Sequence, residues 1–282
     1  SPALLTPQET ESLVFELLSS EQREILTVNK ELDFSFALGD VARFRVNAYF
    51  QKGYLSAALR LIPTEIKTIE QLNLPRILHN FAKMRQGFVL ETGPTGHGKS
   101  TTIASIINEV NQTRGVHIVT IEDPIEYRIL GIEQTQVDQG AKYTFARGLR
   151  AIVRQDPDVI LVGEIRDLET ADIALQAALT GHLVLSTLHT NDAVGAVPRL
   201  VNLGVKAQTI GPALSLVIAQ RLVRRFCENC KQSSEPTPEA QARIGGFFRR
   251  LPPRVDRKPY QSFRIYTAKG CNECNHFGYR GR

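Results

Sequence analysis

Long apolar runs are missing from this 282-residue chain. No stretch approaches the roughly 20 consecutive apolar residues that span a bilayer as a helix. The best candidate, GPALSLVIAQ from Gly211 to Gln220, is about half that length and reads as a buried helix. A signal-peptide pattern is missing too, and the chain opens on Ser1 rather than Met, which suits a cut or processed start. There is no internal repeat. Cysteine is confined to four positions, paired as CENC (Cys227, Cys230) and CNEC (Cys271, Cys274). A disulfide scaffold scatters its cysteines, whereas two C-x2-C knuckles present four thiolates to one tetrahedral zinc ion. The competing readings are reduced thiols or a redox pair. A redox C-x2-C opens a helix beside a βαβ unit, and neither pair does. His276 is a substitute ligand in reach, but four thiolates complete the site. Aromatic residues make up 7% of the chain, and no aromatic platform interleaves with the dispersed arginines. Together with a net charge of only +5, this argues against nucleic-acid binding.

A hydrophobic share of 42% with 22% charged residues supports a sizeable core and a globular chain of one large or two ordinary domains. The first sixty residues read as two short helices, around LVFELL and SEQREILTVNK, then three strands, ELDFSFAL, DVARFRVNAYF and GYLSAALRLI. The second strand alternates. Ala42, Phe44, Val46, Ala48 and Phe50 share one face, with Arg43, Arg45, Asn47 and Tyr49 on the other. Arg60 is out of phase with Leu59 and Leu61. These arginines read either as a solvated sheet face or as a basic face turned toward an anion or a neighbouring subunit. Pro63 and Pro75 bracket a linker. The helix RILHNFAKMRQ ends at Gly87, and then GFVLET, VHIVTIE, PDVILVGE and HLVLSTL alternate with helical stretches. That rhythm argues a parallel sheet covered on both faces. Between the cysteine knuckles lies a proline-rich polar stretch, part helix and otherwise loop.

The stretch ETGPTGHGKSTT, from Glu91 to Thr102, fits G-x-x-x-x-G-K-[ST] between a strand and a helix. Polyphosphate is bulky and anionic. Gly93, Gly96 and Gly98, with Thr95 and His97 between them, let backbone N–H groups curl round it without Cβ clashes. Lys99 sets a point charge on the outer phosphates, Ser100 ligates Mg2+, and Thr101 reaches an inner phosphate. Such a cradle needs an acid. Glu164 ends the buried strand of PDVILVGE, at the sheet edge where ligands bind in such folds. It is the first choice to polarise water, with Glu122 and Glu126 of TIEDPIEY assisting. EDPIE also reads as a simple capped turn. His189 ends a core strand at the same edge and can sense a phosphate there, while His182 precedes that strand.

Four motifs in this order resemble those of the secretion and type IV pilus motor ATPases, the PilT/PilB/GspE-like superfamily, over nearly the whole chain. GPTGHGKSTT is similar to its Walker A, TIEDPIEY to its Asp box, DPDVILVGEIRDLETADIAL to its Walker B, and TGHLVLSTLHTNDA to its His box. The resemblance implies an α/β fold. A RecA-like P-loop ATPase domain (76–226) follows a small α+β PAS-like domain (1–62, without its first strand) and a linker (63–75). A tetracysteine zinc element (227–282) closes the chain, and the family continues beyond it. The resemblance further implies a homohexamer that binds ATP and Mg2+ and couples hydrolysis to subunit rotation, in the cytoplasm against an inner-membrane platform protein, with no nucleic acid. It brings arginines of the first domain to the nucleotide, here Arg45 and Arg60, with Arg43 behind them. The strands ARFRVNAYFQKGYLSAALRLIP resemble the compact retraction motors. AQRLVRRFCENC and GCNECNHFGYRGR resemble the assembly and type II secretion motors, whose cysteine pairs bind zinc. A helix signature beginning A-I-R-N, typical of retraction motors, is absent, so the resemblance leans toward assembly or secretion. A RecA-like nucleic-acid translocase and a nucleotide-gated scaffold without turnover are the competing classes.

Overall fold

The computed structural model describes residues 4–39, 41–62, 65–138, 140–253, 255–256 and 263–282. They form two compact units, Ser1–Gln220 and Arg221–Arg282. Among the described residues no helix is long and apolar enough to cross a membrane.

The first unit opens with α1 (Pro7–Glu16) and α2 (Ser20–Asn29). Each begins in a capping box, Thr6 with Glu9 and Ser19 with Gln22, which satisfies N–H groups that a helix start leaves without partners. An antiparallel sheet follows, β1 (Glu31–Leu38), β2 (Ala42–Gln51) and β3 (Tyr54–Ile62), in the order β1-β2-β3. The expected alternation along β2 holds. Val46 and Ala48 are buried on one face, while Arg45 and Asn47 on the other reach Asp33 at 3.8 and 3.1 Å. Val14, Leu18 and Leu26 of the helical segment pack on Ala48 and Leu55.

After α3 (Leu78–Ala82) comes a six-stranded parallel sheet. Its strands are β4 (Gly87–Thr92), β5 (Ile118–Glu122), β6 (Glu133–Gln136), β7 (Val159–Val162), β8 (Leu183–Leu188) and β9 (Leu214–Ala219), in the order β6-β5-β7-β8-β4-β9. The helices α4 (Lys99–Thr113), α5 (Phe145–Ile152), α6 (Leu168–Leu179), α7 (Ala196–Asn202) and α8 (Ala207–Ala213) connect them. Alternate residues feed two cores. Phe88, Leu90, Ile160 and Val184 pack with α5 and α6, whereas Val89, Leu161 and Leu185 pack with Ile103, Ile106 and Ile107 of α4. Strands buried on both faces need the continuous apolar runs seen in the sequence. Residues 63–75, expected as a linker, include Ile69, which is buried in the α4-side core.

Two expectations need correction. Gly211 to Gln220 is not a buried helix. The helix stops just after Pro212, whose ring fits no helix interior, and Leu214–Ala219 pair with the free edge of β4 as β9. The helix expected through Gly87 covers only Leu78–Ala82. Arg114 then ties that region to α4 through the carbonyls of Ala82 and Met84, at 3.1 and 2.7 Å.

In the second unit β10 (Lys231–Ser234) pairs antiparallel with β11 (Ile265–Ala268), and α9 (Pro238–Arg249) lies between them in sequence. The helix matches the sequence expectation for that stretch, whereas the two strands depart from it.

His79 of α3 lies between two carboxylates. Its Nδ1 faces Glu109 of α4 at 2.8 Å and its Nε2 faces Glu70 at 2.9 Å. The bond to Glu109 chiefly raises its pKa above the usual histidine value. Protonated His79 therefore contributes stability in full below the unfolded histidine range, and the contribution disappears as pH rises through the raised folded value. In thermal melts, His79→Gln should lower the midpoint most near pH 6 and progressively less toward pH 9. A pH-independent difference would contradict the bridge.

Candidate functional site

The strands β5, β7, β8 and β4 are consecutive neighbours in the sheet, and each carries one motif at its C-terminal end. Glu122 ends β5, Glu164 follows β7, His189 follows β8, and the glycine loop follows β4. That edge is where open parallel sheets bind ligands.

In the loop, Gly96 and Gly98 take φ of 76° and 86°, a region that side chains with a Cβ rarely enter. Gly98 caps α4 without a side-chain hydrogen bond, so the first-turn N–H groups have no side-chain cap. These are the conditions for an anion site at a helix start. The Lys99 ammonium, nearly buried, donates to the Gly93 and Pro94 carbonyls at 2.9 and 3.2 Å. Ser100 is exposed at the head of α4, and Thr101 Oγ1 lies 3.0 Å from the Tyr127 hydroxyl. The Gln220 amide braces the loop, donating to the His97 carbonyl at 3.0 Å and accepting from Thr102 at 2.9 Å.

Glu164 is largely buried, with both oxygens directed. Oε1 accepts from Arg166 at 2.5 Å, and Oε2 lies 3.5 Å from His189 Nε2. Arg166 also reaches Asp123 at 3.7 Å, and its bond to Glu164 raises its own pKa. Gly163 lies close against the end of β5, where a Cβ would meet Glu122 Cα and the Ile121 carbonyl at 3.3 Å. Burial pushes the Glu122 carboxyl up. Its Oε1 accepts from Thr120 at 2.8 Å and from Gln134 at 3.0 Å. Glu126 is exposed on the loop after the cis Asp123–Pro124 peptide. Arg45 and Arg60 lie directly opposite each other on β2 and β3. The ion pairs of Glu164 run to Arg166 and His189 rather than to them. Arg43 is held below its usual pKa by burial and by the charge of Arg128.

In the second unit the four cysteine ligand atoms lie within 4.8 Å of one another. Separations are 3.9 Å for Cys227–Cys271, and 3.8 Å for both Cys230–Cys274 and Cys271–Cys274. A tetrahedral ion with Zn–S bonds of about 2.3 Å sets its sulfurs about 3.8 Å apart, so the set fits zinc. Burial alone would raise the Cys274 thiol. The amides of Cys271 and Gly278, 3.2 and 3.1 Å from its sulfur, hold it low instead, whereas burial pushes the Cys230 thiol up to about 12.

A family model described as "Type II/IV secretion system protein" matches residues 32–282. The chain belongs to this family. It is 49% identical over 230 residues to the type II secretion system ATPase E of Vibrio cholerae, covering 79% of this chain and 43% of that protein. It is 48% identical over 232 residues to the type IV pilus assembly ATPase PilB of Thermus thermophilus, covering 80% and 25%. The chain thus spans less than half the length of these curated relatives. Among solved structures it resembles the pilus retraction motor PilT with bound ADP, with a TM-score of 0.73 and 44% identity over 79% of this chain and 68% of that one. The Legionella pneumophila ATPase DotB gives 0.66 and 32%, over 79% and 67%. Family members are thus secretion and pilus ATPases, and the fold is the α/β parallel-sheet type expected for a RecA-like domain.

Four residues of this candidate site leave little local signal in the sequence. Arg166 was legible in principle, as a cation two residues past the strand-end acid. Tyr127 sits inside a quoted motif without a spacing signal. Gln220 reaches its partners across more than a hundred residues and left no local trace. Gln134, on a strand the sequence did not reveal, donates to the Tyr127 carbonyl and to Glu122, and accepts from the Ile129 amide at 2.8 Å. Replacing it removes three hydrogen bonds and leaves buried groups without partners. Gln134→Leu should therefore lower stability by about 2–3 kcal/mol, read from the urea midpoint at unchanged m-value. A change below about 0.5 kcal/mol would contradict the bracing role.

Proposed function

We propose that the chain is the motor portion of an ATPase that splits ATP to drive type IV pilus assembly or type II protein secretion. The observation that carries this is the placement of Lys99, Glu164 and His189 on one sheet edge beside a glycine-built helix start. The Walker A amides and Lys99 hold the outer phosphates, and Thr101 turns from Tyr127 toward an inner phosphate. Ser100 would hold Mg2+, which supplies charge neutralisation on the phosphate oxygens. Glu164 accepts a proton from the attacking water through Oε2, whose 3.5 Å contact to His189 is looser than the Arg166 bond on Oε1. Glu122 and Glu126 support this acid as the Asp box, and His189 senses the outer phosphate. The N-terminal sheet acts as a PAS-like domain, and Arg45 and Arg60 reach the nucleotide within a homohexamer. The ring docks at the cytoplasmic face of an inner-membrane platform protein, without nucleic acid. The likeness to the retraction motor PilT favours a second reading, a retraction motor of the same superfamily. The cysteine cluster tips the choice to assembly or secretion. A nucleic-acid translocase has no aromatic platform to support it.

In phosphate-release assays on the assembled protein, Glu164→Gln should retain nucleotide binding and lose about 10²–10⁴-fold in turnover. Lys99→Ala should lose both binding and turnover. Near-normal turnover in Glu164→Gln would overturn its role.

The cysteine set is proposed to hold one structural zinc per chain. Metal analysis should find one ion, chelation should unfold residues 221–282 selectively, and Cys230→Ser should release the ion. A metal-free protein with the same protection of those residues from hydrogen exchange would contradict a structural ion.

A further inference from the structure

One acid directly beneath the phosphate loop takes no part in the proposed reaction. Glu91, the next-to-last residue of β4, is 0% exposed, and neither of its oxygens has a hydrogen-bond partner. It shares the strand face of Val89, which packs toward α4. On α4, Thr102 is close to it, yet the Thr102 hydroxyl donates to Gln220. Ser105, three residues further along the same helix, also has a buried hydroxyl without a partner. The flanking strands place Thr187 and Ile218 in register with Glu91, and Thr187 donates to the Gly163 carbonyl. Among the described residues the charged group acting on Glu91 is Lys99. A lone carboxylate this deep carries a desolvation cost that it escapes by keeping its proton.

We propose that Glu91 is a positioning residue for Lys99, working as a neutral acid that lets the ammonium move from the loop carbonyls to a bound phosphate. Were it ionised, it would hold the ammonium beneath the loop as a buried ion pair and draw it away from the nucleotide. This rests on the reading of Lys99 as the phosphate-binding group. Burial pushes the Glu91 carboxyl up to about 9, against the opposing pull of Lys99 and Thr102. The neutral form therefore prevails at physiological pH, and the ionised form is reached on the alkaline side. Linkage gives a second consequence. The folded chain keeps a proton that the unfolded chain releases, so this group's contribution to stability falls as pH rises from the ordinary carboxylate range to about 9.

The test is titration of the full chain with a fluorescent ADP analogue and Mg2+ from pH 7 to 10, comparing the unmodified protein with Glu91→Gln and Glu91→Met. At pH 7.5 both neutral variants should bind within about threefold of the unmodified protein. Toward pH 10 the unmodified protein should weaken by about tenfold more than either variant, whose remaining decline reports Lys99 itself. Melting temperatures should show the Glu91→Gln advantage widening between pH 5 and 9, a readout separate from nucleotide binding. Identical alkaline profiles for all three proteins would overturn the proposal. So would a loss of more than about tenfold at pH 7.5 in both variants, which would mean that the site needs the negative charge. Failure of both neutral variants to fold would show that no other neutral group is tolerated there and would overturn it. No binding by the unmodified protein at pH 7.5 would overturn the phosphate-site reading itself.

Discussion

A main chain that is to wrap a polyanion must turn sharply, expose its N–H groups and carry no side chains in the way. The junction between β4 and α4 meets all three demands. Gly96 and Gly98 take left-handed backbone, the helix start has no side-chain cap, and Lys99 folds back on the carbonyls of Gly93 and Pro94. The ammonium thus rests on the loop's own dipoles. Under the proposed function, a phosphate would replace those carbonyls as its partner. Other features of the first unit support that junction. Two apolar cores clamp β4 from both faces, and Gln220 at the end of β9 ties the loop to the sheet.

The strand order converts distant sequence motifs into one edge. Residues 122, 164 and 189 are far apart along the chain, yet β5, β7, β8 and β4 lie side by side in parallel, so their C-terminal ends line up. Parallel pairing makes this unavoidable, because each strand re-enters the sheet in the same direction after its crossover. Arg166 then links two of the motifs by spanning Glu164 and Asp123. Because the Arg166 guanidinium is more than half exposed, such a bridge contributes little to stability. This one holds Glu164 Oε1 on Arg166 and leaves Oε2 toward His189.

What could be read from the sequence followed from periodicity. The apolar runs at 87–92, 118–122, 159–162 and 183–188 are buried on both faces, and such strands announce themselves. The glycine-lysine loop and the cysteine knuckles announce themselves through chemistry at fixed spacing. The edge strands hid for opposite reasons. Glu133–Gln136 is too polar and short to look like a strand. Leu214–Ala219 is apolar enough to pass for a helix, and only the vacant edge of β4 decides its form. The contacts of Gln134 and Gln220 depend on tertiary proximity, which no local pattern encodes. Glu91 is visible as the first letter of the Glu91–Thr102 stretch, but its isolation is a property of the fold.

The proposed site turns on where the ammonium of Lys99 goes when a nucleotide arrives. A crystal structure of the chain soaked with Mg-ADP measures this directly. The β-phosphate should lie within hydrogen-bonding distance of the amides at the start of α4. Lys99 Nζ should leave the Gly93 and Pro94 carbonyls for a phosphate oxygen, as the phosphate-site reading requires. A nucleotide seated elsewhere, or one bound at the loop while Lys99 stays on those carbonyls, would contradict it.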